Sequence, residues 1–250
     1  MIKEVDEKIP LTKHLEELRS RLIKIFILLI IVFGICYSQS KYLMDFVTAP
    51  LTPILPEKSS LAMLKLTEGF FTELKLSLMA AVFFSMPFIF YHLWKFVAPG
   101  LYVHERRYVI GFVVTSSLLF FVGAAFAYYI VFPFGFRFFL NYAQGGVIAS
   151  LSLQWYLSFV TRLILGFGIV FELPVFTLFL AKMGIVTAEM MRKYRKYSIV
   201  IIFIVAAIFT PPDVFTQCMM AVPLLILYEI SVYVAKFFGR KPLKDENVYE

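Results

Sequence analysis

Six long stretches of apolar residues, separated by polar segments, dominate the pattern of this sequence. They cover roughly residues 22–37, 74–97, 108–132, 156–183, 197–209 and 214–238. An α-helix needs about 20 predominantly apolar residues to cross the hydrocarbon core of a bilayer. Backbone polar groups inside lipid must also be satisfied within the segment, which favours helices. The pattern therefore predicts an all-α, polytopic membrane protein with six transmembrane helices.

The last two spans are predicted to be short. The fifth has only 13 residues, 197–209, and the sixth has only 11 residues between Gln217 and Glu229. We expect a helical hairpin there that barely crosses the bilayer. Little chain remains for a soluble domain, so residues 1–250 are interpreted as one integral membrane domain. Within that domain we expect a cytoplasmic amphipathic segment at 1–21, a six-helix region at 22–238 and a cytoplasmic tail at 239–250.

Basic residues lie mainly on one side of the predicted spans. Of the 24 Lys and Arg residues, 18 precede the first span or follow the second, fourth and sixth, and only four lie in the segments on the other side. Loops rich in Lys and Arg stay in the cytoplasm. Both termini are therefore predicted to be cytoplasmic. This topology explains the net charge of +7, which does not indicate a nucleic-acid partner.

Composition and motifs limit the other functions open to the chain. Apolar residues make up 60% and charged residues 16% of the sequence, against about 45–50% and about 25% in soluble domains. A secondary transporter of a small solute or ion is the main alternative, although no internal repeat typical of such folds is found. A membrane enzyme is a weaker alternative, because the three histidines lack the spacing of a zinc motif and no phosphate-binding loop is present. No cofactor or metal is expected.

Five short motifs in and beside the spans are more specific than the hydrophobic pattern. Residues 14–21 read HLEELRSR and residues 96–107 read FVAPGLYVHERR. Residues 49–51 (APL), 171–174 (FELP) and 210–215 (TPPDVF) add three more. In this order, the five motifs closely resemble those of the TatC family, the multi-spanning core of the twin-arginine protein translocase.

The resemblance implies a function in protein export. TatC proteins bind folded precursors through an amino-terminal signal with consecutive arginines, and they assemble with single-span partners of the TatA and TatB types. Transport is driven by the protonmotive force, and the family is not an enzyme. For this chain the resemblance implies a multi-pass protein in the lipid bilayer of a prokaryotic plasma (inner) membrane, and it leaves self-association open.

Two carboxylates are the expected contacts for the paired arginines of a signal peptide. A guanidinium group is a planar fork that pairs with a carboxylate through two parallel hydrogen bonds. The resemblance implies that Glu17 and Glu105 contact the signal, supported by Arg19, Phe96 and Tyr102. All five lie in segments predicted to be cytoplasmic.

A purely local role is the alternative for both carboxylates. Glu17 stands four residues before Arg21, a spacing at which exposed helical pairs contribute about 0.3–0.5 kcal/mol. Glu105 is followed by two arginines that offer the same kind of local pair. Glu16 is an additional carboxylate next to Glu17, so the sequence leaves open which of the two faces the ligand.

Polar residues and prolines in or beside the spans are the remaining candidates. Glu172 and Gln217 lie in predicted spans four and six, where polar side chains rarely face lipid. We expect Glu172 to be a polar spot in a groove that receives a partner helix or the signal hairpin, with a packed, hydrogen-bonded Glu as the alternative. Pro50 is expected to fix a turn, Pro87 to kink span two and Asp213 to cap the start of span six, while roles in translocation stay open for Pro50 and Asp213.

Overall fold

The fold is a bundle of long helices with shorter helices at its ends. The computed structural model describes residues 11–55, 60–65, 67–97, 109–142, 150–210 and 213–239. Its helices are α1 (Leu11–Ser38), α2 (Ser40–Thr48), α3 (Glu68–Val97), α4 (Val109–Phe126), α5 (Phe132–Tyr142), α6 (Leu153–Val170), α7 (Leu173–Lys182), α8 (Ala188–Lys193), α9 (Arg195–Phe209) and α10 (Val214–Phe238). A π-helical turn, Ala127–Val131, joins α4 to α5.

The long helices confirm the polytopic, helical class. Among the described residues, five stretches are long and apolar enough to cross a membrane, and they are Thr12–Ser38, Glu68–Val97, Val109–Phe138, Leu153–Lys182 and Val214–Phe238. The described part of the predicted amphipathic segment, 11–21, continues into span one without a break, since α1 includes both. Residues 1–10 of that segment and 240–250 of the predicted tail lie outside the described residues. The predicted fifth span corresponds to α9, whose 15 residues rise only about 22 Å. A sixth crossing by α9 stays a prediction.

The sixth span is one continuous helix, although a short one was expected. Helix α10 runs without interruption over 25 residues, with the bounds predicted for span six. Gln217 does not break it, because its side-chain amide donates a 3.0 Å hydrogen bond to the Phe203 carbonyl in α9. Glu229 lies nearer the other end and pairs with Arg195 at 2.8 Å. The prediction of a short helix was therefore wrong for α10, because tertiary partners satisfy the polar groups that interrupt its apolar run.

Two segments without a recognisable pattern form a small sheet. β1 (Ser60–Ala62) and β2 (Ser150–Ser152) pair in parallel, with Leu61 opposite Leu151. The all-α class holds apart from this two-stranded sheet. The pairing joins the loop before α3 to the loop before α6, two segments that lie about 90 residues apart in sequence.

The main core is centred on α6 and also takes in buried residues of α3, α5 and α10. Helix α3 packs against α1, α2, α4 and α6, and α10 packs against α7 and α9. The main hydrophobic cluster contains several large, fully buried side chains, among them Tyr156, Phe132, Phe167, Met220 and Leu224. A second cluster surrounds Trp94 and includes Phe112, Phe120, Val175 and Phe179, so it joins the end of α3 to α4 and α7.

Two glycines let α4 lie unusually close to α6. A Cβ atom on Gly123 would stand 2.6 Å from the backbone oxygen of Phe167, and one on Gly168 would stand 2.5 Å from the ring of Phe120. Both distances are far below an ordinary van der Waals contact. Only glycine therefore fits at these crossing points.

The packing gathers the basic segments at one end of the bundle. Arg21 in α1 donates a hydrogen bond to the His92 carbonyl in α3, and Tyr228 in α10 donates one to the Met191 carbonyl in α8. The end that carries the first turns of α1 and the last turns of α3, α7 and α10 is called the basic end below. The opposite end, which carries β1 and β2, is called the strand end.

Candidate functional site

Glu17 is held at the basic end by a buried arginine. The Arg21 side chain is buried, and its Nη1 donates a 2.9 Å hydrogen bond to the carbonyl of His92 in α3. Its Nη2 pairs with Oε1 of Glu17, one helical turn earlier. The local pair considered from the sequence is therefore present. It also connects α1 to α3, which an isolated surface pair does not do.

The second oxygen of Glu17 faces a small aromatic wall. The His14 ring stacks on Phe96, the penultimate residue of α3, with ring centroids 4.2 Å apart. His14 Nδ1 lies 3.9 Å from Glu17 Oε2, beyond hydrogen-bond distance. The Glu17 side chain is 37% exposed, so it is partly open to a ligand. The structure thus brings together Glu17 and Phe96 at the basic end, and their contact with a signal peptide stays a prediction.

Two neighbouring residues on α1 point elsewhere. Glu16 is exposed and lies about 100° around the helix from Glu17, which identifies Glu17 as the carboxylate beside α3. Arg19 is also exposed and lies about 200° from Glu17. Within the described residues Arg19 makes no ion pair, so the structure does not bring it to Glu17.

Tyr102 and Glu105 lie outside the described residues, as does the rest of the motif at 98–107. The chain enters that segment at Val97, next to Phe96, and leaves it for α4 at Val109. Their proposed contacts with a signal peptide therefore stay predictions.

Glu172 occupies a break in the fourth span. Helix α6 ends at Val170 and α7 begins at Leu173, with Pro174 in the first turn of α7. Proline suits this position because the first turn of a helix needs no backbone donor there. The Glu172 carbonyl accepts the N–H groups of Val175 and Phe176, both at 2.9 Å, so the chain restarts as a helix at once.

The side chain of Glu172 is buried rather than exposed in a groove. It is 1% exposed, and neither carboxyl oxygen makes a hydrogen bond of normal geometry to a described residue. Ser116 in α4 is its polar neighbour, and the Ser116 hydroxyl accepts the indole N–H of Trp94 at 2.9 Å while its own O–H is left to donate. The expectation of an open polar spot was therefore wrong for this conformation, because Gly123 and Gly168 bring α4 over the break and close it.

Gln217 borders an apolar groove on α9 and α10. The groove has a volume of about 490 Å³, and Gln217 is the polar member of a lining that otherwise consists of Ile199, Val200, Phe203, Ile204, Ala207 and Ile208. Its amide is engaged with the Phe203 carbonyl. This groove is the exposed face of the short helix α9.

The remaining candidates have structural positions. Asp213 is the N-cap of α10, and its carboxylate accepts the backbone N–H and the hydroxyl of Thr216, which confirms the predicted cap. Pro50 lies in the turn that follows α2, as expected. Pro87 lies inside α3, which continues through it.

Sequence reasoning missed a buried carboxylate at the strand end. Glu68 is 3% exposed and accepts four hydrogen bonds. Its Oε2 accepts from the N–H groups of Leu64 and Lys65 at 2.6 and 3.2 Å, and its Oε1 accepts from the Ser152 hydroxyl and the Gln154 N–H, both at 2.8 Å. Glu68 therefore ties β1 and α3 to the start of α6. Its place in the first turn of a helix was the available signal.

Two tyrosines hold α2 against the bundle and were also missed. The Tyr156 hydroxyl donates to the Val47 carbonyl at 2.7 Å, and the Tyr128 hydroxyl donates to the Phe46 carbonyl at 2.5 Å. Both acceptors lie near the end of α2, where helix carbonyls lack partners. The Tyr156 side chain is fully buried, so its hydrogen bond lies inside the core.

Known proteins resemble this chain over nearly its whole length. A family profile described as Sec-independent protein translocase protein (TatC) matches residues 13–223. The Sec-independent protein translocase protein TatC of Desulforapulum autotrophicum is 47% identical over 241 residues, which cover 96% of this chain and 89% of the relative. The protein of the same name from Escherichia coli (strain K12) is 43% identical over 237 residues, which cover 95% and 92%.

A solved structure agrees with the sequence relatives. A crystal structure described as the twin arginine translocase receptor TatC matches with a TM-score of 0.81 at 42% identity. The match covers 89% of this chain and 97% of the solved chain. On the family profile, the identities and the matching fold, this chain is a member of the TatC family of Sec-independent protein translocase proteins.

Proposed function

We propose that this chain is the receptor and core subunit of a twin-arginine translocase, and that it binds Arg-Arg signal peptides of folded precursors at the basic end. The observation that carries the proposal is Glu17, a half-exposed carboxylate fixed beside Phe96 at the end of α3. The segment containing Glu105 leaves α3 one residue later. As a protein translocase component, the chain is not an enzyme.

The geometry at Glu17 suits a guanidinium ligand. Oε1 is engaged by Arg21, whereas Oε2 has no hydrogen-bond partner among the described residues and faces the His14–Phe96 stack. A signal arginine donates to Oε2 and lies against the aromatic wall, where a flat cation is favoured. Two consecutive arginines need a second carboxylate, and Glu105 supplies it in this proposal.

Charge-neutral substitutions test the proposal. Glu17→Gln keeps an oxygen that accepts from Arg21, so the link between α1 and α3 survives while the negative charge is lost. We expect Glu17→Gln and Glu105→Gln each to weaken photocrosslinking to a twin-arginine precursor at least tenfold, because truncating one partner of a desolvated charge pair costs about 2–5 kcal/mol. Glu16→Gln is the matched control, since it removes the same charge one position away.

A second control separates binding from helix packing. Arg21→Gln breaks the link between α1 and α3 and leaves the Glu17 carboxylate in place. If Glu17 only anchors Arg21, Glu17→Gln should leave crosslinking near the parent level and only Arg21→Gln should weaken it. Unchanged crosslinking by the Glu17→Gln, Glu105→Gln double variant would refute the arginine site.

We further propose that single-span partners of the TatA and TatB types pack on the groove along α9 and α10. Support comes from the exposed apolar side chains of α9, including Val200 and Ile204, and from Gln217, which offers polar contacts within the membrane. Helix α9 is shorter than the hydrocarbon core is thick, so lipid packs poorly beside it. A partner helix therefore also fills this mismatched region. Self-association of the chain stays open in this proposal.

The proposed orientation places the basic end in the cytoplasm of a prokaryotic cell, with the chain as one integral membrane domain in the plasma membrane. The excess of basic residues at that end supports it. Single cysteines at Thr67 and Glu189, in a background without Cys36 and Cys218, test it. An impermeant thiol reagent applied from outside should label the first and spare the second, and the reverse pattern would reject the orientation.

A further inference from the structure

A groove between α3 and α6 opens at the strand end and is unused by the proposed function. It consists of two adjoining cavities of about 360 and 570 Å³ that share Lys75, Gln154, Ser158 and Arg162. The smaller cavity continues along the helices between apolar side chains, which are Leu76, Leu78, Met79, Val82, Leu157 and Leu165. One end of the groove is thus cationic and polar, and the other is apolar.

The two cations of the groove have no partner in the part of the chain that the structure describes. Lys75 and Arg162 are exposed, and within the described residues neither makes an ion pair or a hydrogen bond. At the helical rise per residue, Lys75 lies about 10 Å from the first residue of α3, and Arg162 lies about 13 Å from the first residue of α6. Unpaired charges near the hydrocarbon boundary are costly unless they reach towards the interface or meet an opposite charge.

Nearby carboxylates do not supply that opposite charge. Glu68 already accepts four hydrogen bonds. Glu73 accepts a long bond from Ser40 at 3.4 Å and lies about 200° around α3 from Lys75. An anion at Lys75 and Arg162 must therefore come from outside the described part of the chain.

A buried hydroxyl supplies an independent sign of a ligand. Thr72 lies one turn from Lys75 on α3 and lines the same cavity. It is 2% exposed, and its hydroxyl has no hydrogen-bond partner among the described residues. Buried hydroxyl groups are normally paired, so an unpaired one at the wall of a cationic cavity calls for an acceptor.

We propose that this groove binds an anionic phospholipid from the leaflet at the strand end. The headgroup phosphate lies between Lys75 and Arg162, with Gln154 and Ser158 as further donors, and one acyl chain follows the apolar wall between α3 and α6. Charge complementarity selects the headgroup, and the apolar continuation distinguishes a lipid from a free anion. On the proposed orientation this is the outer leaflet.

Tryptophan fluorescence tests the proposal directly. The chain has two tryptophans, of which Trp155 is 52% exposed and lines the larger cavity, whereas Trp94 is 2% exposed and lies towards the basic end. A Trp94→Phe protein therefore reports from the groove alone. It is reconstituted in phosphatidylethanolamine vesicles that contain one tenth of either brominated phosphatidylglycerol or brominated phosphatidylethanolamine.

We expect the brominated anionic lipid to quench Trp155 more strongly than brominated phosphatidylethanolamine does. Each of the two cations should raise the association constant of the anionic lipid, relative to that of phosphatidylethanolamine, on the order of fivefold. The Lys75→Gln, Arg162→Gln double variant should bring that ratio to about one, while Lys41→Gln, an exposed cation outside the groove, should leave it unchanged. Both groove cations are exposed, so the double variant is expected to fold.

Two results would overturn the proposal. One is equal quenching by the two lipids in the parent protein, which would mean that a protein segment or bulk lipid occupies the groove. The other is a preference that survives in the double variant. If Trp94→Phe does not fold, the same quantity is obtained from the difference in quenching between the parent protein and Trp155→Phe.

Discussion

The close crossing of α4 and α6 gives a sharp prediction for Gly123→Ala. The added Cβ would stand 2.6 Å from the Phe167 carbonyl oxygen and 2.7 Å from the Phe171 ring, where ordinary contacts begin at 3.4 Å. The backbone oxygen cannot turn away as a flexible side chain does. The two helices must therefore separate by about 0.8 Å at the residue before Glu172.

The expected loss of stability is the difference between a packing penalty and a gain in helix propensity. Overpacking a tight interior costs about 1–3 kcal/mol, and contact with backbone places this site at the upper end. Replacing Gly by Ala inside a helix returns up to about 1 kcal/mol. We therefore expect Gly123→Ala to lower the free energy of unfolding by about 2 kcal/mol, which corresponds to a fall in Tm of about 4–8 °C for a chain of this size.

Gly111→Ala in the same helix is the matched control. A Cβ there meets nothing within 4 Å, so only the gain in helix propensity remains and Tm should stay constant or rise. Both variants are compared with the parent in detergent by thermal unfolding followed by circular dichroism. If Gly123→Ala melts at or above the parent temperature, as Gly111→Ala should, the close packing over Glu172 is not real.

Two further predictions concern buried carboxylates. Glu68→Gln turns one of the two acceptor oxygens into a donor that faces hydrogen-bond donors, so hydrogen exchange of the amides in 60–65 and 150–154 should become faster. Glu73→Gln, the control, should leave that exchange unchanged. Equal exchange in the two variants would contradict the role of Glu68 in holding these segments together. Glu172→Leu removes a buried carboxyl without a normal hydrogen bond, so the free energy of unfolding should rise by about 1 kcal/mol while export of a twin-arginine precursor is lost. Normal export by a stably inserted Glu172→Leu protein would assign Glu172 to packing alone.

Local patterns were sufficient to predict the helices. Hydropathy located all six apolar helices, including the short α9, because a helix in lipid satisfies its own backbone and needs only an apolar surface. It wrongly predicted that α10 is short as well. The cap at Asp213 was also predicted, since it involves residues within one turn. The TatC family was identified from five motifs, and the comparisons confirm it. A solute transporter or a membrane enzyme does not explain these matches.

The choice between Glu16 and Glu17 needed the tertiary structure. Both carboxylates stand next to each other in the sequence, and only the docking of α1 on α3 through Arg21 places Glu17 beside Phe96. The open groove expected for Glu172 was wrong for a related reason. Whether a polar side chain in a span is exposed depends on how closely the next helix approaches, and glycines in two helices set that distance.

Hydropathy and helical periodicity by themselves determined where this chain enters the membrane and, with the distribution of Lys and Arg, which ends of its helices are basic. Only the tertiary structure decided the pairing of β1 with β2, the fourfold acceptor role of Glu68 and the full length of α10. These features join residues that are from 3 to about 90 positions apart and depend on partners from other helices. A sequence pattern shows which surface of a segment must be buried. Tertiary packing determines which other segment buries it.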